Sequence, residues 1–470
     1  MDLSELSSSR VLIMGLGAHG GGAASARYCA EAGASVTVTD LRTEDELSAS
    51  IASLADLPIR FVLGHHDPED FRKADVVIKN PAVRRTAPLL REARAIETDI
   101  SIFLREHTGP VLAITGTKGK STTASALHHI VRGVYPAARL GGNITVSPLT
   151  FLRDLNDSDP VVLELSSFQL GDLLLTSVGR EGVLPPFSVS IVTNLLPDHQ
   201  DYYGSMEAYA ADKALIFSGQ QPDAWCVLSD GDSWSRAYRP PHPGRVVRVG
   251  AGQGLPPHAC GPYAAIERGI GVFAEQAGVP VELVPSDTRV QGAHMRRNLL
   301  FAAVAARLFG VPDEIIRDRA RNFAGVPHRL EEVALVAGIR WINDSAATIA
   351  EAASAAVESF TEPVHLIAGG SDKGVPLDAF RSIGTRVASL HLLAGSATER
   401  IVGILDEERI PYHGPYSDLG SAVDAAGTAA RPGSVVLLSP GCASFGMFRN
   451  EFDRGDQFRR LVRERSGMIE

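Results

Sequence analysis

One stretch, Ala113-Ile114-Thr115-Gly116-Thr117-Lys118-Gly119-Lys120-Ser121-Thr122, constrains the fold more than any other. The apolar run Val111–Thr115 leads into it and a helical pattern leads out. Glycines at such a strand-to-helix turn let backbone N–H groups converge on phosphate oxygens, and the start of the helix adds a positive field. Lys120 is placed to reach the terminal phosphates of a nucleotide, and the hydroxyl of Ser121 or Thr122 to ligand Mg²⁺. The longer GxxxxGK[ST] pattern is not met, because Ile114 stands at its first glycine. A glycine turn before a helix often serves packing alone; the Gly-Lys-Ser ending makes phosphate binding the stronger reading.

The strand–helix rhythm recurs along the chain. Strands are predicted at Val11–Met14, Ser35–Thr39 and Val76–Lys79, before Thr-Gly-Pro interrupts the pattern near His107–Pro110. A second group holds Val111–Thr115, Val161–Leu165, Val189–Thr193 and Trp225–Leu228, with helices over Ala208–Phe217 and Met295–Phe309. A third begins near Gly325, with strands at Ile339–Asn343, Val364–Ala368, Leu390–Leu393 and Val435–Leu438 and helices at Ala350–Phe360 and Ser417–Ala429. The stretch from about Pro240 to Gly261 is rich in Pro, Gly and His and reads as loops. This predicts an α/β protein of three domains, over residues 1–108, 109–325 and 326–470. At about 150 residues per domain the length agrees.

Charge and composition narrow the function. With 45 Lys+Arg against 55 Asp+Glu the formal charge is −10, so a nucleic-acid partner is disfavoured. Small phosphorylated ligands remain open, since a few local donors suffice for them. No apolar run approaches the ~20 residues that span a bilayer, and the polar start, Met1 to Arg10, is unlike a signal peptide. Cys29, Cys226, Cys260 and Cys442 form no CxxC pair, which fits free thiols in a reducing cytoplasm. Cys442, in a Gly- and Ser-rich loop, reads as a packed side chain rather than a nucleophile.

A second glycine motif competes with the first. Gly15-Leu16-Gly17-Ala18-His19-Gly20 is a literal GxGxxG after a strand, and Asp40 ends the next strand, where a ribose-binding acid is expected. Read alone, it leaves a nicotinamide site, a site for another nucleotide, and simple helix–strand packing all open. Glu164 ends the Val161–Leu165 strand on the same sheet edge as the phosphate loop, which suits Mg²⁺. His199, after Asn194-Leu195-Leu196-Pro197-Asp198, lies at that edge too, either as a metal ligand or as a surface histidine. Lys213 alone reads as a solvated helix lysine. His65-His66 near Asp67 lacks the spacing of a metal motif and reads as a loop.

These pieces occur in one order: GTKGKST, ELSSFQL, TNLLPDHQDYYG with Lys213 downstream, HMRRN, GVPHR, NDSAAT and SPGCASFGMF. From Gly15 to about Phe458 the series resembles the Mur ligase family. The resemblance implies a Rossmann-like N-terminal domain for a uridine diphosphate sugar, a central P-loop ATPase domain and a Rossmann-like C-terminal domain. It implies ATP-dependent amide-bond formation through an acyl phosphate, joining D-glutamate to UDP-N-acetylmuramoyl-L-alanine in cytoplasmic peptidoglycan synthesis. A monomer is the expected state.

The same resemblance implies roles for single residues. Gly116, Thr117, Lys118, Gly119, Lys120, Ser121 and Thr122 would hold the phosphates of ATP, and Asn298, Arg329 and Asp344 its remainder. Ser121, Glu164 and His199 would serve two Mg²⁺ sites, with Lys213 carbamylated to supply a further carboxylate. Gly15, Leu16, Asp40 and Asn143 would surround the UDP sugar, and Thr348, Lys373 and Ser444 the glutamate. The chain departs from the family at Lys118 and Met295, at Ala346, where a lysine is usual, and at Glu451, where an aromatic is usual. Ala346 and Glu451 bear on amino-acid recognition. A sibling ligase using L-glutamate, a folyl-polyglutamate synthetase, an NAD-dependent oxidoreductase and a non-catalytic nucleotide-binding module are the competing readings.

Overall fold

The computed structural model describes residues 7–17, 21–144, 146–179, 181–253 (backbone only at 251–253), 261–275, 279–290, 292–372 and 376–467. Their strands form three sheets of five, nine and six strands. The chain packs as two compact units, Met1–Thr288 with His294–Asn322, and Arg289–Ala293 with Phe323–Glu470.

The first unit carries two sheets. In the smaller, Arg10–Met14 lies between Ser35–Asp40 and Val76–Lys79, and Arg60–Leu63 and Ile96–Glu97 close the edges. All neighbours run parallel. The strand order reverses beside Arg10–Met14, and in open α/β sheets ligands enter beyond the strand ends at such a point. Gly15 and Gly17 follow that strand, with Asn80 from the next strand's end against them: a Cβ on Gly15 would lie 3.0 Å from the Asn80 Cβ.

The nine-stranded sheet repeats the device. Val111–Thr115 runs between Val161–Glu164 and Val189–Val192, all parallel. These strands are buried on both faces, hence their near-continuous Val, Leu and Ile. The phosphate loop leaves the centre of the sheet with Glu164 on one side and Thr193 and Asn194 on the other. The helix Lys120–Val131 then packs back on the sheet, and Ala293–Leu308 buries nearly every residue from Leu299 to Ala306.

The stretch expected as loops contains a strand. Val246–Gln253 pairs in parallel with Trp225–Ser229, with Val247 and Val249 fully buried. The antiparallel strands Tyr263–Glu267, Ile270–Ala274 and Val281–Val284 extend the sheet further. The valines alternate with Arg248, but Pro240, Pro241, Pro243 and Gly244 just before them masked this interior strand.

The second unit holds the six-stranded sheet. Its order is Glu331–Val336, Ile339–Asn343, Val435–Leu438, Val364–Gly369, Ser389–Leu393, His413–Tyr416. Only the first pair is antiparallel. The expected helices run over Ala350–Val357 and Leu419–Ala429, the latter capped by Asp418 on Ser421 N–H. Among the described residues no helix is long and apolar enough to cross a membrane.

Candidate active site

The phosphate loop is clasped from both flanks. Gly116 and Gly119 take left-handed φ of +144° and +82°. A Cβ on Gly116 would lie 2.0 Å from Thr193 Oγ1, and one on Gly119 would lie 2.4 Å from Asn298 Oδ1. Only glycine fits either place. Asn194 grips Lys118 with both ends of its amide: Oδ1 accepts from the Lys118 N–H and Nδ2 donates to the Lys118 carbonyl, each at 2.9 Å. Thr193 Oγ1 donates to the same carbonyl at 2.7 Å. Thr117 N–H donates to the Asn194 carbonyl, and Thr117 Oγ1 sits 3.1 Å from the Tyr209 hydroxyl. The loop is therefore held rigid before any ligand arrives. Lys120 Nζ donates to the Thr117 carbonyl at 2.9 Å, folded over the loop. Ser121 and Thr122 follow in the first helical turn, Ser121 half-buried and Thr122 buried.

Lys213 enters from beneath. Its helix, Met206–Ala214, is started by Ser205, whose hydroxyl accepts from Ala208 N–H. Tyr209, Asp212 and Lys213 follow at helical spacing on the buried face. Lys213 Nζ, 1% exposed, donates to the Gly116 carbonyl at 2.8 Å and to Thr115 Oγ1 at 3.3 Å. Burial, with the nearby Lys120 charge, holds its amine well below the ordinary lysine range. Asp212 is tied to Arg85 at 3.0 Å.

Glu164, also 1% exposed, lies across the sheet from Ile114. Asn143 Nδ2 donates to its Oε1 at 2.9 Å, and Asn143 N–H to its carbonyl at 2.8 Å. Glu164 Oε2 is buried with no hydrogen-bond partner among the described residues. A buried carboxylate oxygen lacking a donor is costly unless a cation meets it, so the residue fits a metal ligand. His199 starts the short helix Gln200–Tyr203 at φ +52°. Its ring packs edge-on against Phe168 at 4.9 Å and lies 6.2 Å from Tyr209. Among the described residues no three His, Cys, Asp or Glu side chains cluster to hold a metal ion. The donors at hand are of mixed kind: a carboxylate, an imidazole, a hydroxyl and a lysine.

The N-terminal crevice is built differently. Asp40 does not stand open at the strand end: Oδ2 accepts from Leu16 N–H at 2.9 Å and Gly17 N–H at 3.3 Å, and Oδ1 from Arg42 N–H at 3.0 Å. Burial would raise its pKa, but these bonds and the Arg42 guanidinium hold it below the usual carboxylate value. The acid thus fastens the glycine turn from the next strand. A cavity of about 140 Å³ lies here, with Gly15, Asp40, Arg42, His66 and Asn80 in its wall. His65 and His66 occupy the bend before the helix Pro68–Lys73, which Asp67 caps.

In the second unit the two loops carrying Thr348 and Ser444 are laced together. Asp344 is buried: Ser439 Oγ donates to Oδ2 at 2.7 Å and Leu330 N–H to Oδ1 at 3.1 Å, while burial pushes its carboxyl up to about 7. Gly441 N–H donates to the Ala347 carbonyl. Arg454, fully buried, donates to Ser345 Oγ, the Ser345 carbonyl and the Cys442 carbonyl. Thr348 is half-buried, Ser444 buried and Arg329 exposed. Lys373 lies outside the described residues. Ala346 N–H donates to the His328 carbonyl, and Glu451 opens the helix Glu451–Arg465 with its carbonyl on Ser345 Oγ. Burial pushes the Cys442 thiol up to about 12, which leaves it no nucleophile.

Several of these residues were not singled out from the sequence: Asn194, Tyr209, Asn80, Arg42 and Arg454; His66 reads there only as part of a loop. Tyr209 could have been found, since it lies four residues before Lys213 on one helix face. Arg454 gave no local signal.

Residues 114–306 match the Mur ligase middle domain, and residues 9–102 the Mur ligase MurD-like N-terminal domain. The UDP-N-acetylmuramoylalanine--D-glutamate ligase of Roseiflexus sp. (strain RS-1) is 43% identical over 97% of this chain and 99% of its own length. The chain belongs to the Mur ligase family. A second relative with the same enzyme name, from Treponema pallidum (strain Nichols), is 36% identical over 97% of this chain and 98% of its own. Among solved Mur ligases, UDP-N-acetylmuramate-alanine ligase MurC from Thermotoga maritima superposes with a TM-score of 0.61 at 19% identity, covering 97% of this chain and 99% of that one. At that identity the likeness speaks for the Mur ligase fold alone.

Proposed function

We propose that this Mur ligase uses ATP to join D-glutamate to UDP-N-acetylmuramoyl-L-alanine, in peptidoglycan synthesis. The observation that carries this reading is the match, over nearly the whole chain, to relatives named for that one reaction. Residues 1–108 are assigned to the nucleotide sugar, 109–325 to ATP and 326–470 to the amino acid with part of ATP.

The chemistry follows in two steps. The L-alanyl carboxylate takes the γ-phosphoryl group of ATP, and ADP leaves. The amine of D-glutamate attacks the acyl phosphate carbon, loses a proton, and phosphate departs. The N–H groups of Gly119, Lys120 and Ser121 cradle the phosphates, those of Thr117 and Lys118 being held by Asn194, and the Lys120 ammonium meets the charge that grows on the transferred oxygens. Mg²⁺, when bound, offsets the phosphate charge; Ser121, Glu164, His199 and Lys213 are the residues that would hold two such ions. Asn143, expected at the UDP sugar, also positions Glu164. Burial disfavours the charged form of Lys213, and its neutral amine is the nucleophile for CO₂: the nitrogen bonds the carbon, a proton leaves, and a donor becomes a carboxylate. Asn298, whose Oδ1 lies against Gly119, is assigned to the adenine end of ATP, and Arg329 and Asp344 to ATP from the last domain. Thr348, Lys373 and Ser444 offer two hydroxyls and a cation to a dicarboxylate. A cytoplasmic monomer is the working form, and the buried free thiols of Cys29, Cys226 and Cys442 suit that compartment.

The test is phosphate release from ATP with UDP-N-acetylmuramoyl-L-alanine across a panel of amino acids. Turnover confined to D-glutamate supports the reading.

A further inference from the structure

The crevice beside Gly15 adjoins a second, mostly apolar hollow of about 380 Å³, walled in part by Met14, Leu41, Val83 and Pro88. His66 lines both. Its ring sits edge-on to Phe71, with centroids 6.0 Å apart. Its Nδ1 is 2.8 Å from Thr39 Oγ1, and Thr39 Oγ1 donates to the His65 carbonyl at 3.2 Å. A hydroxyl has one proton to give. With that proton on the carbonyl, Thr39 Oγ1 is the acceptor and His66 Nδ1 the donor. A neutral imidazole carries one N–H, and in that tautomer Nε2 is left bare. Burial keeps the ring neutral, lowering its pKa against the opposing pull of Asp40. Nε2 has no hydrogen-bond partner among the described residues.

The backbone offers the base little here, because the N–H groups of Leu16 and Gly17 are already taken by Asp40. The crevice presents apolar walls, Leu41 and Val83, the side chains of Asp40, Arg42 and Asn80, which are already hydrogen-bonded to neighbouring backbone or to one another, and Nε2 of His66 as an acceptor without a partner among the described residues. Uracil has a flat apolar face and an imide N3–H between two carbonyls. Cytosine and adenine have a bare ring nitrogen at the matching place, which would set lone pair against lone pair.

We infer that His66 accepts the N3–H of the uracil ring through Nε2 and so determines which base the N-terminal site takes. The assignment rests on the reading that this crevice binds a uracil nucleotide. Thr39 acts through His66, as the positioning residue that fixes its tautomer.

The test is calorimetric titration of the full chain, wild type and His66→Phe, with UDP and with CDP. Phenylalanine keeps a ring in place and loses the acceptor. The wild type should prefer UDP by about tenfold or more, the loss expected for one unmade hydrogen bond. His66→Phe should weaken UDP by about tenfold, leave CDP nearly unchanged and bring the ratio close to one. A folded His66→Phe that keeps wild-type UDP affinity overturns the inference but leaves the nucleotide site standing. A wild type that binds no UDP overturns both. Should His66→Phe fail to fold, ¹⁵N NMR of the wild-type imidazole decides. A bare Nε2 whose signal moves upfield on adding UDP supports the inference; an Nε2–H tautomer overturns it.

Discussion

Lys213 Nζ donates to the Gly116 carbonyl at 2.8 Å, so the buried lysine and the first glycine of the phosphate loop are joined directly. The bond brings an amine whose burial disfavours its charged form to the floor of the loop, where charge is to be handled. Lys213→Ala removes both the tie and the amine proposed to carry the carbamate. We expect kcat to fall on the order of 100-fold or more, as when a transition-state contact is lost, with partial recovery on adding a small carboxylic acid. Steady-state phosphate release measures the loss, and ¹³C NMR under labelled CO₂ looks for the carbamate carbon. Full activity in Lys213→Ala would discard the assignment.

Glu164→Gln should move activity and stability in opposite directions. Glutamine can still accept from Asn143 Nδ2 and no longer buries a carboxylate oxygen without a donor. With chelator present, the variant should melt at or above the wild-type temperature, because a buried carboxylate with no donor to Oε2 among the described residues is removed. Turnover with Mg²⁺ should nevertheless fall steeply. A variant that melts well below the wild type would show that Glu164 is satisfied without metal.

Lys79 and Asp172 form a fully buried ion pair that ties the end of the Val76–Lys79 strand to the helix Ser167–Asp172. Lys79→Ala strands the carboxylate and should cost about 3–5 kcal/mol in denaturant unfolding. Replacing both, as Lys79→Met with Asp172→Leu, should recover most of that. If the double variant is as weak as the single one, the pair is not the source of the loss.

How much of this was legible beforehand differs by site. The phosphate loop and the strand-end position of Glu164 follow from local pattern, because one strand, one turn and one helix fix both. Lys213 was legible only through the family resemblance: its helix spacing shows a buried face but not what lies opposite, since Gly116 is 97 residues earlier. Asp40 was placed correctly at its strand end, yet its bond to the glycine turn spans 24 residues and no local rule announces it. The strand Val246–Gln253 was hidden because prolines that belong to the preceding turn lie within any reading window. Arg454 was invisible because its partners are mostly carbonyls, which every residue has.

Asp344 sets a pH dependence for the second unit. Its folded carboxyl titrates at about 7, above the unfolded value, because burial disfavours the charge. The folded state thus holds a proton that the unfolded state has lost. That contribution is complete below the unfolded pKa and disappears as pH rises through about 7, at no more than about 1.4 kcal/mol per pH unit. Denaturation midpoints from pH 4 to 8 should fall for the wild type and run flatter for Asp344→Asn. Equal slopes would contradict the assignment.

The most direct measurement is formation of the amide product from ATP and UDP-N-acetylmuramoyl-L-alanine, with D- and L-glutamate at equal concentration. The account predicts product and stoichiometric phosphate with D-glutamate, and far slower turnover with L-glutamate. Faster turnover with L-glutamate, or no ATP-dependent product with either, would contradict it.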